Sequence, residues 1–556
     1  MSAPPRRHER VRLRGCDDAV PRQDGAETAM NHWREHPLPA MRAEALYGDR
    51  VVRCFAERPP GLAAMFERSR AAHPDREAVV CDGARWSYAE TGAEAGRIAA
   101  GLAALGVGAR DRVVLLLSNR PEFVFVLLAV QRLGAIAVPV GIREQRPGVA
   151  YVARQCEAKA IVFDDELADR VPAGDDAPSL ALRVAASALA TLPPGALPHA
   201  VAAAESEVAV LLYTSGTTGQ PKGAMLTHVA IAHSALHYEA CMRLGAGDRS
   251  ALAVPASHVT GLVATIAAMW RVGGAIVIVR EFKADAFVAL LARERVTHTL
   301  MVPAMYKLCL MSEAFARADL SAWRIGGYGG APMPVATIDE LAGRLPNLVL
   351  QNAYGATETT SPATLMPAGL TRVHADAVGV ALPCAEIRVM DDDGRELPPG
   401  EVGELWIGGP MVVPGYWANA DATAASFTAG FWHSGDLGSV DRDGFVRIVD
   451  RKKDMLNRGG FKVYSVKVEN VLLAAPGVVE AAVIGVPCPV LGERVHAVLY
   501  APGLGESDAA ALRGHCAERL ADYEVPERFV WSTLPLPRNA NGKVMKRLLR
   551  EQHPSS

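Results

Sequence analysis

Residues 213–223 constrain this chain more than any other segment. They read Tyr-Thr-Ser-Gly-Thr-Thr-Gly-Gln-Pro-Lys-Gly and come directly after the apolar stretch 208–212. Glycines let several backbone N–H groups point towards one anion, and the hydroxyls and the lysine add donors and positive charge. We therefore predict a buried strand that enters a cradle for the phosphates of a nucleotide. The residues assigned to this cradle are Thr214, Ser215, Gly216, Thr217, Thr218, Gly219 and Lys222.

The cradle is not a Walker A loop. In that motif a serine or threonine follows the lysine, and its hydroxyl holds Mg²⁺. Here Lys222 lies between Pro221 and Gly223, so no hydroxyl is adjacent to it. The alternative interpretation is a surface loop of low complexity. Hydroxyls, glycines and a lysine concentrated directly behind an apolar strand disfavour that alternative. The residues that follow, 225–228, are predicted to lead towards a helix.

The rest of the chain alternates between strand and helix patterns. Helical periodicity over 90–105 and 121–133 alternates with short apolar strands at 112–117 and 135–140. Such alternation is typical of parallel sheets covered by helices. We predict an α/β fold with a large N-terminal domain of several subdomains, two α/β sheets plus a small β unit, and a small mobile C-terminal α+β domain. The same pattern predicts strands at 275–279, 299–302, 323–328 and 348–353 and a helix at 284–295.

Two local signals divide the chain. Residues 385–407 alternate in polarity around Asp393-Gly394, which predicts antiparallel strands with a turn between them. A charge cluster, Asp-Arg-Lys-Lys-Asp, precedes a last stretch that has its own βαβ-like pattern and a basic tail helix. The predicted divisions are a disordered tail at 1–30, an N-terminal domain at 31–449, a hinge at 450–453 and a C-terminal domain at 454–556.

Composition excludes several classes of protein. The chain has 556 residues and a net charge of −3, so it lacks the basic excess with which a protein neutralises the phosphates of a nucleic acid. Its 9 cysteines form no Cys-x-x-Cys pair, which argues against a zinc knuckle or a redox motif and favours a reduced, cytoplasmic protein. The most apolar stretch, 123–140, is interrupted by Arg132, so no transmembrane segment is expected.

Taken with later motifs, residues 213–223 resemble the adenylate-forming superfamily. This superfamily contains acyl-CoA synthetases, peptide-synthetase adenylation domains and firefly-type luciferases, and the resemblance is to the AMP-dependent acyl-CoA synthetase branch. It covers about residues 61–549, with the core motifs in family order. The resemblance implies that ATP activates a carboxylic acid as an acyl-adenylate.

Two motifs resemble the adenine side of the family's site. Gly329-Gly330-Ala331-Pro332 looks like a turn whose small residues let a flat base lie against the backbone. Tyr354-Gly355-Ala356-Thr357-Glu358 resembles the next motif, whose aromatic ring suits stacking on adenine. The resemblance therefore implies nucleotide contacts for this set of residues: Gly330, Ala331, Pro332, Tyr354 and Gly355.

The phosphate and ribose contacts are implied in the same way. Thr357 is matched to a residue that bonds an α-phosphate oxygen, and Glu358 to a hard oxygen ligand for Mg²⁺. Asp436, in Ser-Gly-Asp-Leu, is matched to the carboxylate that accepts hydrogen bonds from both ribose hydroxyls. Arg451 is matched to an arginine that reaches the ribose and phosphate side.

The last motifs resemble parts of a moving C-terminal domain. Lys453 corresponds to the hinge, and Lys543 looks like the family's catalytic lysine, carried by Asn-Ala-Asn-Gly-Lys. Gly459, Gly460 and Lys462 resemble the glycine loop that lines the CoA thiol tunnel. The chain departs from the family wording at three nearby positions. The family often has Pro and Glu where this chain has Ser465 and Lys467, and Asp is common where it has Cys488.

The acid site is the part that the motifs describe least. His258 matches an aromatic or histidine gate beside the acyl carboxylate, and two glycines before Tyr328 suggest room for an aryl or medium-chain group. The residues assigned to catalysis are Lys543, Thr357, Glu358 and His258. The residues assigned to the acyl pocket are His258, Val259, Tyr328, Gly329 and Ala353.

The function that the resemblance implies is ATP-dependent acid–CoA ligation. Its co-substrates are ATP, CoA and a fatty (medium- or long-chain) or aryl acid, with Mg²⁺ as cofactor. One alternative is an acyl-AMP ligase or stand-alone adenylation enzyme that passes the acyl group to the phosphopantetheine of a carrier protein. Another is a protein that binds acyl-nucleotides without catalysis. Both a monomer and a homodimer fit the sequence.

Overall fold

The computed structural model describes residues 31–34, 36, 38–196, 203–215, 220–538 and 544–553. The predicted disordered tail at 1–30 lies outside these residues, as do the predicted cradle residues Gly216, Thr217, Thr218 and Gly219 and the predicted catalytic Lys543.

One large sheet has six strands and carries the cradle strand. Its neighbours are parallel except for the pair at one edge, where Pro221–Thr227 runs antiparallel to Val208–Ser215. In spatial order the strands are Pro221–Thr227, Val208–Ser215, Ile136–Pro139, Arg112–Leu116, Ala160–Phe163 and Leu182–Ala185.

The second large sheet has nine strands, and its six central strands are parallel. Antiparallel strands close it at both edges. In spatial order the strands are Val380–Ala381, Thr364–Leu365, Val349–Tyr354, Ile325–Tyr328, His298–Met301, Arg249–Leu252, Ala275–Ile278, Glu77–Cys81 and Ala84–Ser87.

The main core is formed by the side chains on one face of each of these two sheets. Successive strand residues point to opposite faces, so Val113 and Leu115 enter this core while Val114 and Leu116 enter the outer core of the six-stranded sheet. Because both faces of these strands are covered, their residues form continuous apolar runs. The helices that contribute to the main core are Leu62–Ala72, Tyr88–Ala104, Pro121–Arg132, His228–Met242 and Ala268–Val272.

The outer faces are covered by separate helices. Helix Arg146–Gln155 packs on the six-stranded sheet. Three helices cover the nine-stranded sheet, namely Ala284–Arg293, Pro303–Met311 and Val335–Arg344. The predicted fold class, parallel sheets between helices, is confirmed, and the predicted strands lie within a few residues of the observed ones.

The described residues on either side of the cradle form two antiparallel strands, which are called the cradle hairpin below. The sequence predicts that the residues after the cradle lead towards a helix, but Pro221–Thr227 first folds back along Val208–Ser215, and helix His228–Met242 begins after it. The physical reason is the alternation of 224–227, which buries Ala224 and Leu226 fully. The hairpin register places Lys222 directly opposite Thr214.

The predicted small β unit is a five-stranded antiparallel sheet. Gly394, at a φ of +75°, occupies a turn as expected. The predicted antiparallel strands lie on either side of this turn, although the first ends at Met390 and the second begins only at Gly403. The strands are Glu386–Met390, Gly403–Gly408, Phe427–Thr428, Phe431–Val440 and Val446–Arg451, with helix Ala420–Ser426 between the second and third.

The C-terminal sheet begins after this antiparallel sheet ends. Asp450 and Arg451, predicted as part of the hinge, belong to strand Val446–Arg451 because they pair with Leu437 and Asp436. The C-terminal strands are Leu456–Arg458, Phe461–Val463, Glu480–Cys488, Gly492–Tyr500 and Arg528–Ser532, and the helices are Ser465–Leu473, Ala509–Ala517 and Lys546–Gln552. The last two strands are parallel and flank helix Ala509–Ala517, as the βαβ-like pattern predicts. Within the described residues, none of the helices has the length and apolar character that crossing a membrane requires.

Buried histidines make the free energy of unfolding depend on pH. Burial lowers the pKa of His228, His233 and His298 to about 4, and it lowers the pKa of His237 well below the usual value. The unfolded chain takes up these protons near pH 6.5, whereas in the folded chain His228, His233 and His298 bind them only near pH 4, and His237 binds its proton well below the usual pH. The folded state therefore loses stability as the pH falls through this window.

We expect His237→Leu to weaken this pH dependence without lowering stability at neutral pH. Neither ring nitrogen of His237 has a hydrogen-bond partner among the described residues. The control is His233→Leu, which leaves the Phe55 N–H without its acceptor at 3.1 Å and should cost about 1–3 kcal/mol. The measurement is the thermal unfolding midpoint between pH 7.5 and 4.5. An unchanged slope in His237→Leu contradicts the assignment.

Candidate active site

The carboxylate of Asp436 joins two sheets. Strand pairing sets Asp436 opposite Arg451, and Arg451 Nε lies 2.6 Å from Asp436 Oδ1. From the end of strand Val349–Tyr354, the Tyr354 hydroxyl donates a hydrogen bond of 2.6 Å to Asp436 Oδ2. Asp436 is buried, so each carboxylate oxygen has a partner in a region that excludes most water. Burial, and secondly the negative charge of Asp436, hold the pKa of Tyr354 well above its usual range.

A second carboxylate, Glu358, lies four residues after Tyr354. It belongs to a single helical turn, Thr357–Thr359, and is buried. Its Oε1 accepts hydrogen bonds from the Thr214 hydroxyl at 3.2 Å and from the Tyr416 hydroxyl at 3.0 Å. Its backbone carbonyl accepts from Val413 N at 2.9 Å. These contacts fix Glu358 against the base of the cradle hairpin.

Lys222 completes this group. Hairpin pairing sets it opposite Thr214, and its ammonium lies 5.1 Å from the centre of the Tyr416 ring. This is a cation–π distance. Burial, and secondly Glu358, raise the pKa of the Tyr416 hydroxyl, so Tyr416 stays a neutral hydrogen-bond donor. The described base of the hairpin thus brings a hydroxyl and a positive charge to the side of a buried carboxylate.

Tyr416 was not predicted from the sequence. It reaches Glu358 because 415–417 runs along the hairpin: Met225 N donates to Gly415 O at 3.1 Å, and Trp417 N donates to Gly223 O at 2.8 Å. The only local signal is an aromatic pair after a glycine, which is common in turns. The contact joins residues 58 positions apart in the chain, so no sequence periodicity reports it.

The adenine-side turn lies against the same segment. A Cβ atom on Gly329 would lie 2.3 Å from the carbonyl oxygen of Ala353, so only glycine fits there. Gly330 has a φ of +78°, and Gly330, Ala331 and Pro332 are exposed. Gly355 is exposed and Tyr354 half-buried. The structure therefore brings the two predicted adenine motifs together at the carboxyl ends of two neighbouring parallel strands of the nine-stranded sheet.

The predicted acyl-pocket residues lie on two sides of that sheet. Val259 and Ala353 pack against the main core. The half-buried His258 directly precedes Val259, just before a π-helix, Thr260–Ala267. Tyr328 is fully buried in the outer core instead. The assignment of Tyr328 to the acyl pocket stays a prediction, and its packing among outer-core residues does not favour it.

The remaining predicted residues are placed as follows. Thr357 is half-buried beside Glu358, and Lys453 is exposed. Gly459 and Gly460 form an exposed turn with φ values of +61° and +90°, followed by the exposed Lys462. Lys543 and the cradle tip lie outside the described residues. Within the described part of the chain no group of three or more His, Cys, Asp or Glu residues is arranged to hold a metal ion.

Comparison with known proteins agrees with this geometry. The profile of the AMP-binding enzyme family matches residues 66–417, and that of the AMP-binding enzyme C-terminal domain matches residues 467–543. The chain belongs to the AMP-binding enzyme family. It is an adenylate-forming enzyme of the acyl-CoA synthetase branch, an acid–thiol ligase, as the sequence motifs predict.

Individual relatives cover nearly the whole chain. It is 34% identical over 505 residues to a feruloyl-CoA synthase of an Amycolatopsis species, covering 89% of this chain and 99% of the relative. It is 34% identical over 498 residues to a fatty acid–[acyl-carrier-protein] ligase of Streptomyces coeruleorubidus, covering 86% and 94%. ATP-bound MatB of Rhodopseudomonas palustris superposes with a TM-score of 0.81 at 32% identity, covering 88% and 98%.

We expect Tyr416→Phe in this ligase to slow acyl-adenylate formation. The change removes one of two hydrogen bonds to Glu358 Oε1, and loss of a bond to a charged group, worth about 1.5 kcal/mol, corresponds to roughly a tenfold lower rate. The measurement is pyrophosphate release at saturating ATP. The control is Tyr47→Phe, which removes a hydroxyl from Thr227 at the far end of the same hairpin strand. Equal rates in both variants count against a role for Tyr416.

Proposed function

We propose that this enzyme joins a fatty or aryl carboxylic acid to CoA in two steps. In the first, a carboxylate oxygen of the acid attacks the α-phosphorus of ATP, and the bond to the pyrophosphate oxygen breaks. In the second, the CoA thiol attacks the acyl carbon, loses its proton, and AMP leaves. One observation supports this proposal above all. In the short segment 354–358, Tyr354 contacts Asp436 and Glu358 contacts the cradle hairpin.

The residues divide between the two ends of ATP. We assign the ribose hydroxyls to Asp436, which Arg451 and Tyr354 hold in place. The 214–222 cradle, with Lys222, takes the departing pyrophosphate. Thr357 donates to an α-phosphate oxygen, and Lys543 bridges the acid and the α-phosphate. No covalent enzyme intermediate is required, so the rate enhancement comes from orientation and from neutralised charge.

Glu358 fits a magnesium ion beside the phosphates. Mg²⁺ prefers one or two carboxylates together with phosphate oxygens, and Glu358 offers a hard oxygen of this kind. Both hydrogen bonds described for its side chain go to Oε1, so Oε2 remains for the ion. When bound, the ion would neutralise charge on the phosphates. Thr214 and Tyr416 orient the carboxylate whether or not the ion is present.

One site serves two reactions if the C-terminal domain turns. We infer a domain at 31–449, a pivot within 450–453 and a C-terminal domain at 454–556. Lys453 is exposed and lies two residues after Arg451, whose pairing with Asp436 is the last of this strand in the antiparallel sheet. Rotation at Lys453 would withdraw Lys543 and present the exposed Gly459-Gly460 turn, with Lys462, to the acyl-adenylate.

Two substitutions separate the half-reactions. We expect Lys543→Ala to lose acyl-adenylate formation at least a hundredfold but to keep thioester formation from supplied acyl-AMP, because only the first step needs its charge (roughly 3 kcal/mol). Lys453→Pro, which restricts the pivot, should do the reverse. The measurements are pyrophosphate release without CoA and acyl-CoA formation from acyl-AMP. If Lys543→Ala retains both activities, the role given to Lys543 is wrong.

The acyl acceptor has a second candidate, the phosphopantetheine of a carrier protein. The observation that favours it is the 34% identity to a fatty acid–[acyl-carrier-protein] ligase. The relative named feruloyl-CoA synthase, at the same identity, favours CoA and an aryl acid. The acid and the acceptor therefore need one experiment that varies both.

We expect free CoA to be the acceptor. A panel of hydroxycinnamic, benzoic, medium-chain and long-chain acids is incubated with ATP and with no acceptor, with CoA or with a phosphopantetheinylated carrier protein. Acyl-CoA should form with aryl or medium- to long-chain acids, and CoA should accelerate AMP release. Accumulation of acyl-AMP that CoA does not discharge, followed by transfer to the carrier protein alone, would support the second candidate.

A further inference from the structure

The side chain of Asn119 connects the two large sheets. Asn119 is half-buried and lies three residues after strand Arg112–Leu116 of the six-stranded sheet. Its Oδ1 accepts a hydrogen bond of 2.8 Å from the Ala256 N–H. Its Nδ2 group donates at 3.2, 3.0 and 3.1 Å to the carbonyl oxygens of Leu252, Val254 and Val279. One amide therefore contacts four backbone groups at the ends of two neighbouring strands of the nine-stranded sheet.

The residues on both sides of Asn119 are also fixed. The buried carboxylate of Asp164 accepts from Ser118 N through Oδ2 at 2.8 Å, and from Arg120 Nη1 through Oδ1 at 2.8 Å. Hydrogen bonds to a charged group are strong and directional. The backbone that carries Asn119 is thus anchored to the six-stranded sheet while its side chain reaches the other sheet.

These contacts lie at the edges of the sheets where the nucleotide motifs also lie. Strand Arg249–Leu252 runs in the same direction as Ile325–Tyr328 and Val349–Tyr354, which precede the two adenine motifs. Strand Arg112–Leu116 likewise runs in the direction of Val208–Ser215, which enters the cradle. Ligands of open α/β sheets bind beyond the carboxyl ends of the strands. Asn119 therefore joins the two sheets at the edges expected to bind ligands.

The Ala256 contact holds a short turn that carries His258. Ala256 follows Pro255, and His258 N donates back to Pro255 O at 3.1 Å, which closes the turn. Because Asn119 binds the N–H in the middle of this turn, a change in its side chain releases a backbone group two residues before His258.

The other side of the turn packs against the π-helix Thr260–Ala267. Leu262 N donates to His258 O at 2.9 Å, so the turn continues into this helix. A Cβ atom on Gly261 would lie 2.4 Å from Pro255 O, so the helix and the turn are in direct contact. The turn is therefore held between this helix and the amide of Asn119.

We propose that Asn119 is a positioning residue that holds the turn at 255–258 so that His258 meets the carboxylate of the acid. Asn119 does not touch a substrate in this proposal, and it acts through the turn. The proposal rests on the function proposed above and on the match of His258 to a residue beside the acyl carboxylate. It links the sheet that carries the phosphate cradle to the binding of the acid.

Asn119→Ala has a matched control at the opposite end of the same strand. The substitution removes all the hydrogen bonds of the Asn119 amide. In the control, Thr297→Val, the lost hydroxyl accepts from Arg249 N at 3.0 Å and donates to Asp248 Oδ1 at 2.6 Å. Both variants thus lose polar contacts at strand Arg249–Leu252, but only Asn119→Ala releases the turn.

The expected result is a selective loss in the use of the acid. Asn119→Ala should lower kcat/KM for the acid about tenfold, since displacement of a positioned group by about 1 Å can cost even more. The KM for ATP should stay within about twofold of the wild-type value. The measurement is pyrophosphate release without CoA, with the acid of the panel above that the wild type uses fastest. Thr297→Val should leave both constants unchanged, although both variants should lower the thermal unfolding midpoint.

A second variant displaces the same turn from its other side. The methyl group of Gly261→Ala cannot fit beside Pro255 O, so it should also lower kcat/KM for the acid without a matching rise in the KM for ATP. This variant decides the question if Asn119→Ala does not fold, which its thermal unfolding midpoint reports. The proposal is overturned by an unchanged kcat/KM for the acid in folded Asn119→Ala, by an equal loss in Thr297→Val, or, if Asn119→Ala does not fold, by an unchanged value in Gly261→Ala.

Failure of this proposal is distinguishable from failure of the proposed function. If the wild type releases pyrophosphate with no acid of the panel, the proposed function is wrong. If His258→Ala lowers kcat/KM for the acid and Asn119→Ala does not, only the positioning role of Asn119 is wrong. If His258→Ala leaves this constant unchanged, the turn does not act through His258 and the positioning proposal is overturned, while the proposed ligation stands.

Discussion

The site depends on one buried carboxylate with two fixed partners. Asp436 holds Tyr354 from the nine-stranded sheet and Arg451 from the strand beside its own. Charge-assisted bonds in a region poor in water are short and directional, so this contact fixes the distance between the two sheets at the point where they meet. Tyr354 continues to Glu358, which contacts the cradle hairpin, and Arg451 ends the strand that leads to the proposed hinge.

Residues 354–358 link the Asp436 contact to the cradle hairpin, so together they can bind an extended ligand. Tyr354 and Glu358 are only four residues apart, yet one engages the antiparallel sheet and the other engages the hairpin of the six-stranded sheet. Three sheets thus meet around five consecutive residues. ATP has its ribose and its phosphates at opposite ends, and residues 354–358 reach from one proposed subsite to the other. This explains why the motif is compact although the proposed ligand is extended.

The sequence predicts the elements that local chemistry determines. Apolar runs between glycines predict the buried parallel strands, because both faces of those strands pack. It misses features that depend on pairing at a distance. The contact of Tyr416 with Glu358 and the burial of Asp450 against Ser465 join segments that are separate in the chain. The charge cluster predicts a hinge at 450–453, yet one of its carboxylates, Asp450, is 1% exposed because the N-terminus of helix Ser465–Leu473 covers it.

The binding site of the carboxylic acid is the part of the molecule that the sequence predicts least. Nucleotide residues are polar groups at strand ends and turns, where their type and spacing can be read locally. The acyl group must instead be recognised by apolar surface, and apolar residues also build the cores. Tyr328 illustrates the ambiguity, since its position suggests a pocket but its ring packs in the outer core with Phe287 and Met333. Only the face of the sheet to which a side chain points separates the two roles, and a shift of one residue along a strand reverses that face.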